Sequence, residues 1–282
     1  MNLTAEIALA HRLADAARAT IRPHFRTPMS AERKGDASPV TVADRAAEEA
    51  MRRILTAEVP QDGVHGEEFG VSEGLPGRPN GRQWVLDPID GTCAFLAGRA
   101  TFGTLIALLV DGFPVLGLID QPILSERWLG VAGQPTTLNG EPVATRPCRE
   151  LSDATLATTG PQYFSKDEGD AFMALAGKTD HKRMIMGGDC YNYALLATGF
   201  LDVVCEAGLK LHDFAALVPV VEGAGGLMCD WNGEPLHGGS AGHVLAVGDP
   251  ARLEDVLEAM GGAQNHSAHD DHDHGHGDGH GH

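Results

Sequence analysis

The stretch Trp84-Val85-Leu86-Asp87-Pro88-Ile89-Asp90-Gly91-Thr92 constrains this chain more than any other. Three apolar residues that run into an aspartate read as a short buried strand whose last residue emerges at the sheet edge. Pro88 removes a donor and biases Asp87 towards extended backbone, so the segment cannot simply continue as a helix. A turn has to follow; Asp90-Gly91 supplies it, and Thr92 leads into residues 93–100, which could begin as a helical turn. Two carboxylates three residues apart, on either side of a proline, can converge on one point while the Ile89 carbonyl faces the same way. That is a hard-cation site in outline, since Mg²⁺ takes oxygen ligands from a few carboxylates and keeps positions for water and phosphate. Backbone N–H groups of Gly91 and Thr92 at a helix start would hold an anion beside it. The competing reading is purely structural, because Asp-Gly is a common turn dipeptide.

The rest of the sequence bounds the setting. With 282 residues, 43% of them hydrophobic, the chain can bury a sizeable core. Lys and Arg total 21 against 39 Asp and Glu, a net charge of −18 with no basic stripe, so nucleic acid and anionic membrane surfaces are poor partners. There is no apolar run long enough to span a bilayer, and Met1-Asn2-Leu3-Thr4-Ala5-Glu6 lacks the basic start and apolar block of a signal peptide; a cytoplasmic location is expected. Cys93, Cys148, Cys190, Cys205 and Cys229 form no C-x-x-C pair and are expected to be reduced and mostly buried.

Apolar residues at three- and four-residue steps predict a helix over 3–21, closed by Pro23, and a second from 41 or 42 to 58. Residues 32–40, polar and containing Gly and Pro, read as a surface loop or hairpin. Asp44 sits in the first turn of the second helix, where complementing the helix dipole would suffice to explain it. Gly63-Val64-His65-Gly66 is a short strand running into the double acid Glu67-Glu68, which implies solvent or a cation nearby. Runs 102–110 and 113–119 form a hairpin about Asp111-Gly112, strand signals continue over 126–131, and Asn139-Gly140 marks another turn. Beyond 153 the pattern mixes strands (183–186, 201–205, 227–231, 243–247) with helices, one opened by Gly187-Gly188-Asp189-Cys190-Tyr191 and ending at Gly199, others over 214–221 and 250–260. Asp213 therefore stands at a helix N-terminus, where a carboxylate is at home and could also face a metal.

Gly66-Glu67-Glu68, the D-P-x-D-G-T pattern of residues 87–92, and Asp213 followed by Ala215-Ala216 and Glu222-x-Ala224-Gly225-Gly226 together resemble the inositol monophosphatase family of metal-dependent phosphomonoesterases. The resemblance runs in order along nearly the whole chain to about Gly262. Residues 187–191 and Gly208-Leu209-Lys210-x-His212-Asp213-Phe214 resemble the histidinol-phosphate phosphatase branch. The resemblance implies an α+β fold, a layered αβαβα sandwich, as one phosphatase domain over 1–262 with mixed halves of about 1–150 and 151–262. It also implies that Glu67, Asp87 and the Ile89 carbonyl hold one Mg²⁺, that Asp87, Asp90 and Asp213 hold a second, and that a third lies near Glu67. Thr92, hydrogen-bonded to Asp44, would orient the attacking water, and Gly91 and Thr92 would hold the phosphate. His212 is a departure, since an aromatic residue is expected directly before the metal aspartate. Relatives commonly pair, so a homodimer is expected.

Substrate choice falls on residues 187–189, Glu206 and Asp213. Histidinol phosphate carries an amine, and an ammonium in a partly closed pocket favours an anionic partner, for which Asp189 and Glu206 are the candidates. A helix N-cap is the competing reading of Asp189, and polyol-phosphate enzymes of the family also use a Glu at the position of Glu206. Residues 263–282, with half of the 14 histidines interleaved with Asp and Gly, are expected to be disordered and to bind Zn²⁺, Ni²⁺ or Cu²⁺ loosely. The leading expectation is an Mg²⁺-dependent phosphomonoesterase acting on histidinol phosphate in histidine biosynthesis. The alternatives are an inositol-type or other sugar-phosphate phosphatase and, from another class, a metal-storage or metal-delivery protein working through the tail.

Overall fold

Local periodicity decides the first elements. In the computed structural model, which describes residues 3–27, 32–33, 39–74 and 81–261, helix α1 (Thr4–Ile21) buries Leu9, Ala10, Leu13, Ala14, Ala17 and Ile21 on one face. Two short strands, β1 (Glu32–Arg33) and β2 (Pro39–Val40), pair antiparallel. Helix α2 (Val42–Glu58) starts at a capping box in which Thr41 and Asp44 satisfy each other's backbone donors. The histidine-rich segment 263–282, expected to be disordered, lies outside the described residues.

The next elements are β3 (Gly63–Gly66), β4 (Gly70–Ser72), β5 (Arg82–Asp90), the short helix α3 (Thr92–Leu96), β6 (Gly103–Val110), β7 (Phe113–Gln121), β8 (Glu126–Val131), β9 (Thr137–Leu138) and β10 (Glu141–Pro142). They form an eight-stranded sheet of order β10-β9-β8-β7-β6-β5-β3-β4, antiparallel except for the parallel β3–β5 pair. Asp111 and Gly112 turn the β6–β7 hairpin with φ of 51° and 85°, the positive pair that a tight hairpin of this twist requires.

A second sheet takes the remaining chain: β11 (Leu156–Thr158), α4 (Lys166–Ala176), β12 (Ile185–Met186), α5 (Cys190–Ala197), β13 (Val203–Glu206), α6 (Leu211–Phe214), α7 (Leu217–Gly223), β14 (Leu227–Cys229), β15 (Val244–Val247) and α8 (Leu253–Gly261). Its five strands lie in the order β12-β11-β13-β15-β14. The helix expected over 214–221 is two helices. Asp213 Oδ2 accepts from the Lys210 amide at 2.6 Å, which starts α6 earlier. Pro219 has no N–H to give the Ala215 carbonyl, so the ladder breaks before α7. Helix α4, absent from the sequence reading, is opened by a capping box between Ser165 and Glu168.

Side-chain alternation stacks these elements into five layers. On β5 and β6, Trp84, Leu86, Ile106 and Leu108 face α1 and α2, whereas Val85, Leu105, Ala107 and Leu109 face the interior shared with α5 and α7. On β13 and β15, Val204, Val244 and Ala246 join that same interior, while Val203, Cys205, Leu245 and Val247 meet α4 and α8. Both faces of both sheets are thus covered, which is why these strands read as continuous apolar runs. The result is the expected αβαβα sandwich. Among the described residues, no helix is long and apolar enough to cross a membrane.

One small-residue window fixes where the Asp213 segment docks. Gly117 on β7 and Gly130 on β8 are cross-strand partners. A Cβ at Gly117 would collide with the Ala216 carbonyl, and one at Gly130 with that of Pro219. The backbone of residues 216–220 therefore rests directly on the sheet, and a glycine inside a strand signals such an approach. Gly117→Ala and Gly130→Ala are each expected to cost about 1–3 kcal/mol of stability by overpacking, read as a lowered midpoint in urea. A midpoint within error of the parent would show that α7 does not seat on this window.

Candidate active site

The acidic residues converge because β5 slips out of register. Asp87 pairs with Leu105 and Asp90 with Gly103, with the ladder irregular between them. Residues three apart on a regular strand would face opposite sides of the sheet. The irregularity at Pro88, which has no N–H for the ladder, re-aims them onto one spot. The Thr104 hydroxyl secures the turn by donating to the Pro88 carbonyl at 2.8 Å. Two groups of potential ligand atoms result, Glu67 with Asp87 and His212, and Asp87 with Asp90 and Asp213, and within each group the atoms lie within 4.8 Å of one another. Asp87 belongs to both.

Electrostatics shows what this gathering costs without a counter-charge. Burial first, and then the like charges of Glu67, Asp90 and Asp213, push the Asp87 carboxyl well above the usual carboxylate range. Burial, Asp189 and Asp213 do the same to Asp90, opposed by hydrogen bonding from Cys190. A cluster of hard oxygen donors whose strongest neighbours share its sign fits divalent cations, and the Ile89 carbonyl stands in the same turn.

Supporting residues hold the acids from behind. Glu48, fully buried on α2, accepts from the amides of Glu68 at 2.7 Å and Phe69 at 3.2 Å and from Arg52 Nε at 2.7 Å, which clamps the turn that carries Glu67. A Cβ at Gly66 would strike the Glu48 carboxylate, so a larger residue there would have to displace this clamp. From the second half of the chain, the Cys190 amide donates to Asp90 Oδ2 at 2.6 Å. Neither Glu48 nor the Cys190 amide was singled out in the sequence. The signal for Glu48 is an acid on the same buried face of α2 as Ala47, Met51 and Leu55.

The structure corrects one expected contact. Thr92 does not hydrogen-bond Asp44: its hydroxyl donates to the Ile89 carbonyl at 3.1 Å. Asp44 Oδ2 is engaged by the amide and hydroxyl of Thr41, and Oδ1 has no hydrogen-bond partner among the described residues. The Thr92 proton goes to a carbonyl in its own turn, while the capping box fixes the other Asp44 oxygen at the start of α2. Burial raises the Asp44 pKa against those hydrogen bonds.

A cavity of about 180 Å³ opens beside the acids, lined by Asp90, Gly91, Thr92, Asp189, Glu206 and Asp213, with Tyr163, Phe164 and Leu209 as its apolar wall. Gly187 and Gly188, with φ of 84° and 135°, lie outside this lining. They shape the approach to α5, and Asp189 itself takes a φ of 48°. The Asp189 side chain makes no N-cap hydrogen bond. It turns instead towards Gly91, where a Cβ would sit 2.7 Å from its Cγ. Gly91 is thus demanded twice, by its φ of 82° and by this neighbour. Burial raises Asp189 to about 6, with Arg99 opposing. Glu206 accepts from the Thr159 amide at 2.9 Å and hydroxyl at 2.8 Å, yet burial still raises it to about 8. The site therefore presents an acid cluster suited to cations on one side and two protonatable acids on the other. Such an arrangement can hold an anionic ester against the cations and a polar or cationic group at the far end.

Known proteins carry the same architecture. Residues 2–264 match the inositol monophosphatase family. The chain is 46% identical over 260 residues to the chloroplastic bifunctional phosphatase IMPL2 of Arabidopsis thaliana, spanning 90% of this chain and 74% of that protein. It is 37% identical over 237 residues to a histidinol-phosphatase of Chlorobaculum parvum, spanning 82% and 88% respectively. The solved structure of an inositol monophosphatase from Zymomonas mobilis superposes with a TM-score of 0.83 at 52% identity, over 93% of this chain and 99% of that one. The acid cluster at the end of β5, the five-layer fold and these likenesses agree, and the chain belongs to the inositol monophosphatase family of phosphatases.

Proposed function

We propose that the protein is an Mg²⁺-dependent phosphomonoesterase that hydrolyses L-histidinol phosphate to L-histidinol and phosphate, a step of histidine biosynthesis. The observation that carries the substrate choice is the pair Asp189 and Glu206 in the wall of the cavity that Asp90 and Asp213 also line. Burial raises the pKa of both, and an ammonium group brought against them would favour their ionised forms and so gain two counter-charges. The likeness to a histidinol-phosphatase and to a plant bifunctional phosphatase supports the same reading.

In this reading Glu67, Asp87, the Ile89 carbonyl, Asp90 and Asp213 hold Mg²⁺, which when bound neutralises the phosphate and lowers the pKa of water. Glu67, less buried than Asp87, would serve as the base for that water. The Thr92 hydroxyl, its proton committed to the Ile89 carbonyl, keeps its lone pairs to accept from the attacking water and so orients it towards phosphorus. The amides of Gly91 and Thr92 meet the phosphate oxygens. Asp189 and Glu206 fix the organic end, which turns binding into positioning for in-line attack. Asp44 supports this arrangement through the start of α2.

A second reading keeps the mechanism and changes the ester. The inositol monophosphatase structure is the more identical of the likenesses above, and Glu206 would serve hydroxyl groups as readily as an amine. Phosphate release from L-histidinol phosphate, inositol 1-phosphate and an aryl phosphate, each with Mg²⁺ and with chelator, separates the two. A preference for histidinol phosphate that chelator abolishes is expected, together with a KM for that ester raised about tenfold in Asp189→Asn and little change for the aryl ester. Equal losses on both esters, or a preference for the inositol ester, would contradict the substrate choice; turnover untouched by chelator would contradict the mechanism.

The acids also set a pH dependence. Glu206 moves from an ordinary 4.5 to about 8, so the folded protein holds a proton that the unfolded chain releases. The stability this contributes is full below the unfolded value and is lost as pH rises through the folded one. In chelator, the melting temperature of the parent protein is expected to fall between about pH 5 and 8, and that of Glu206→Gln to fall less. A parent protein whose melting temperature stays level or rises over that range would contradict the assignment.

A further inference from the structure

Helix α6 places two neighbouring side chains on two different groups of acids. Asp213 joins Asp87 and Asp90, whereas His212, immediately before it, joins Glu67 and Asp87. His212 is buried, with its Nε2 3.5 Å from Asp213 Oδ1 and the edge of the His65 ring against it at 5.9 Å between centroids. The imidazole is therefore packed into the acid cluster and does not turn away to solvent.

We propose that His212 supplies a nitrogen ligand to the cation held by Glu67 and Asp87, so that this centre favours a transition cation such as Mn²⁺ over Mg²⁺ more than an all-oxygen centre would. The inference rests on the metal-centre reading above. Ligand atoms around one such ion lie about 3–4.2 Å apart for bonds near 2.1 Å. A histidine nitrogen and two carboxylate oxygens within 4.8 Å of one another need only a slight contraction to reach that spacing. Imidazole nitrogen is a softer donor than carboxylate or water. It suits Zn²⁺, Fe²⁺ and Ni²⁺ best, and Mn²⁺, at the weak end of that series, still accepts it more readily than Mg²⁺, which holds to oxygen ligands. An aromatic hydrocarbon ring at this position could pack equally well but has no lone pair to donate. The same α6 turn would thus build an oxygen-only centre through Asp213 and a mixed nitrogen and oxygen centre through His212. The two would share Asp87 and differ in which cation they retain.

The test uses the full-length protein stripped with chelator, Mn²⁺ alone as the probe, and the variants His212→Phe, His212→Gln and Asp87→Asn. Free Mn²⁺ is counted by electron paramagnetic resonance, and coupling of bound Mn²⁺ to ¹⁴N is read by pulsed resonance. Melts in chelator establish that each variant is folded, and the glutamine variant retains a polar side chain should phenylalanine fail to fold. Parent protein is expected to show ¹⁴N coupling that falls in both His212 variants. Mn²⁺ affinity should drop about tenfold in those variants, and Mg²⁺ affinity, measured by competition, should change less than about twofold. The tail histidines are present in every variant, so a ¹⁴N signal of undiminished strength in the His212 variants arises elsewhere and overturns the inference. A parent protein without ¹⁴N coupling overturns it as well. Mn²⁺ binding unaffected by Asp87→Asn would instead overturn the metal centre itself, which keeps the two failures distinct.

Discussion

The mutual repulsion of Glu67, Asp87, Asp90 and Asp213 sets the terms for the rest of the molecule. Like charges brought together in a partly dry cleft raise one another's pKa and oppose folding, and Asp87 and Asp90 both respond in that way. The fold gathers them nonetheless, and the four are held by three elements: Glu67 by the turn after β3, Asp87 and Asp90 by the break in β5, and Asp213 by the first turn of α6. A site assembled from three places cannot be loosened at one of them without disturbing the others. The same repulsion gives the arrangement its use, because charge of one sign awaiting a cation is what the hydrolysis of a phosphate dianion needs.

The surrounding architecture holds these acids in place through neutral or internally satisfied contacts. Glu48 spends its carboxylate on the amides of Glu68 and Phe69 and on Arg52, so it positions Glu67 with its own charge answered locally. The Cys190 amide ties Asp90 to the start of α5, which joins the two sheets at the site itself. The Gly117–Gly130 pair lets the α7 backbone lie on the large sheet, and this sets the depth at which the preceding Asp213 enters. On the far wall, the strained start of α5, where Asp189 takes a φ of 48°, buries a carboxylate against Gly91 and away from the helix that it precedes. Backbone strain of this kind persists where surrounding structure enforces it.

Much of this was legible in the sequence wherever the determinant is local. The two N-terminal helices follow from apolar spacing, the β6–β7 hairpin from Asp111-Gly112, and the convergence of Asp87 and Asp90 from a proline between them. Asp213 at a helix start was readable for the same reason, although the helix proved to be two because Pro219 interrupts the ladder. Contacts between segments distant in sequence were not readable. Arg99 beside Asp189, Glu48 beneath the Glu67 turn and the glycine window under α7 depend on how the layers stack, which no spacing in one segment encodes. The Thr92–Asp44 bond failed for the opposite reason, since the Thr92 hydroxyl finds a carbonyl three residues back in its own turn and donates there before reaching across the fold. Helix α4 escaped notice because Gly169 and four acids or lysines in its first turns dilute the apolar stripe.

The claim on which everything else hangs is that the acids at the end of β5 form a metal centre. Anomalous diffraction from crystals grown with Mn²⁺ addresses it most directly, because the scattering locates the ions without reference to activity. Peaks between Asp87 and its neighbours Glu67, Asp90 and Asp213 are the expected result. Anomalous peaks confined to other parts of the molecule, with the four carboxylates holding no ion at millimolar Mn²⁺, would contradict the account.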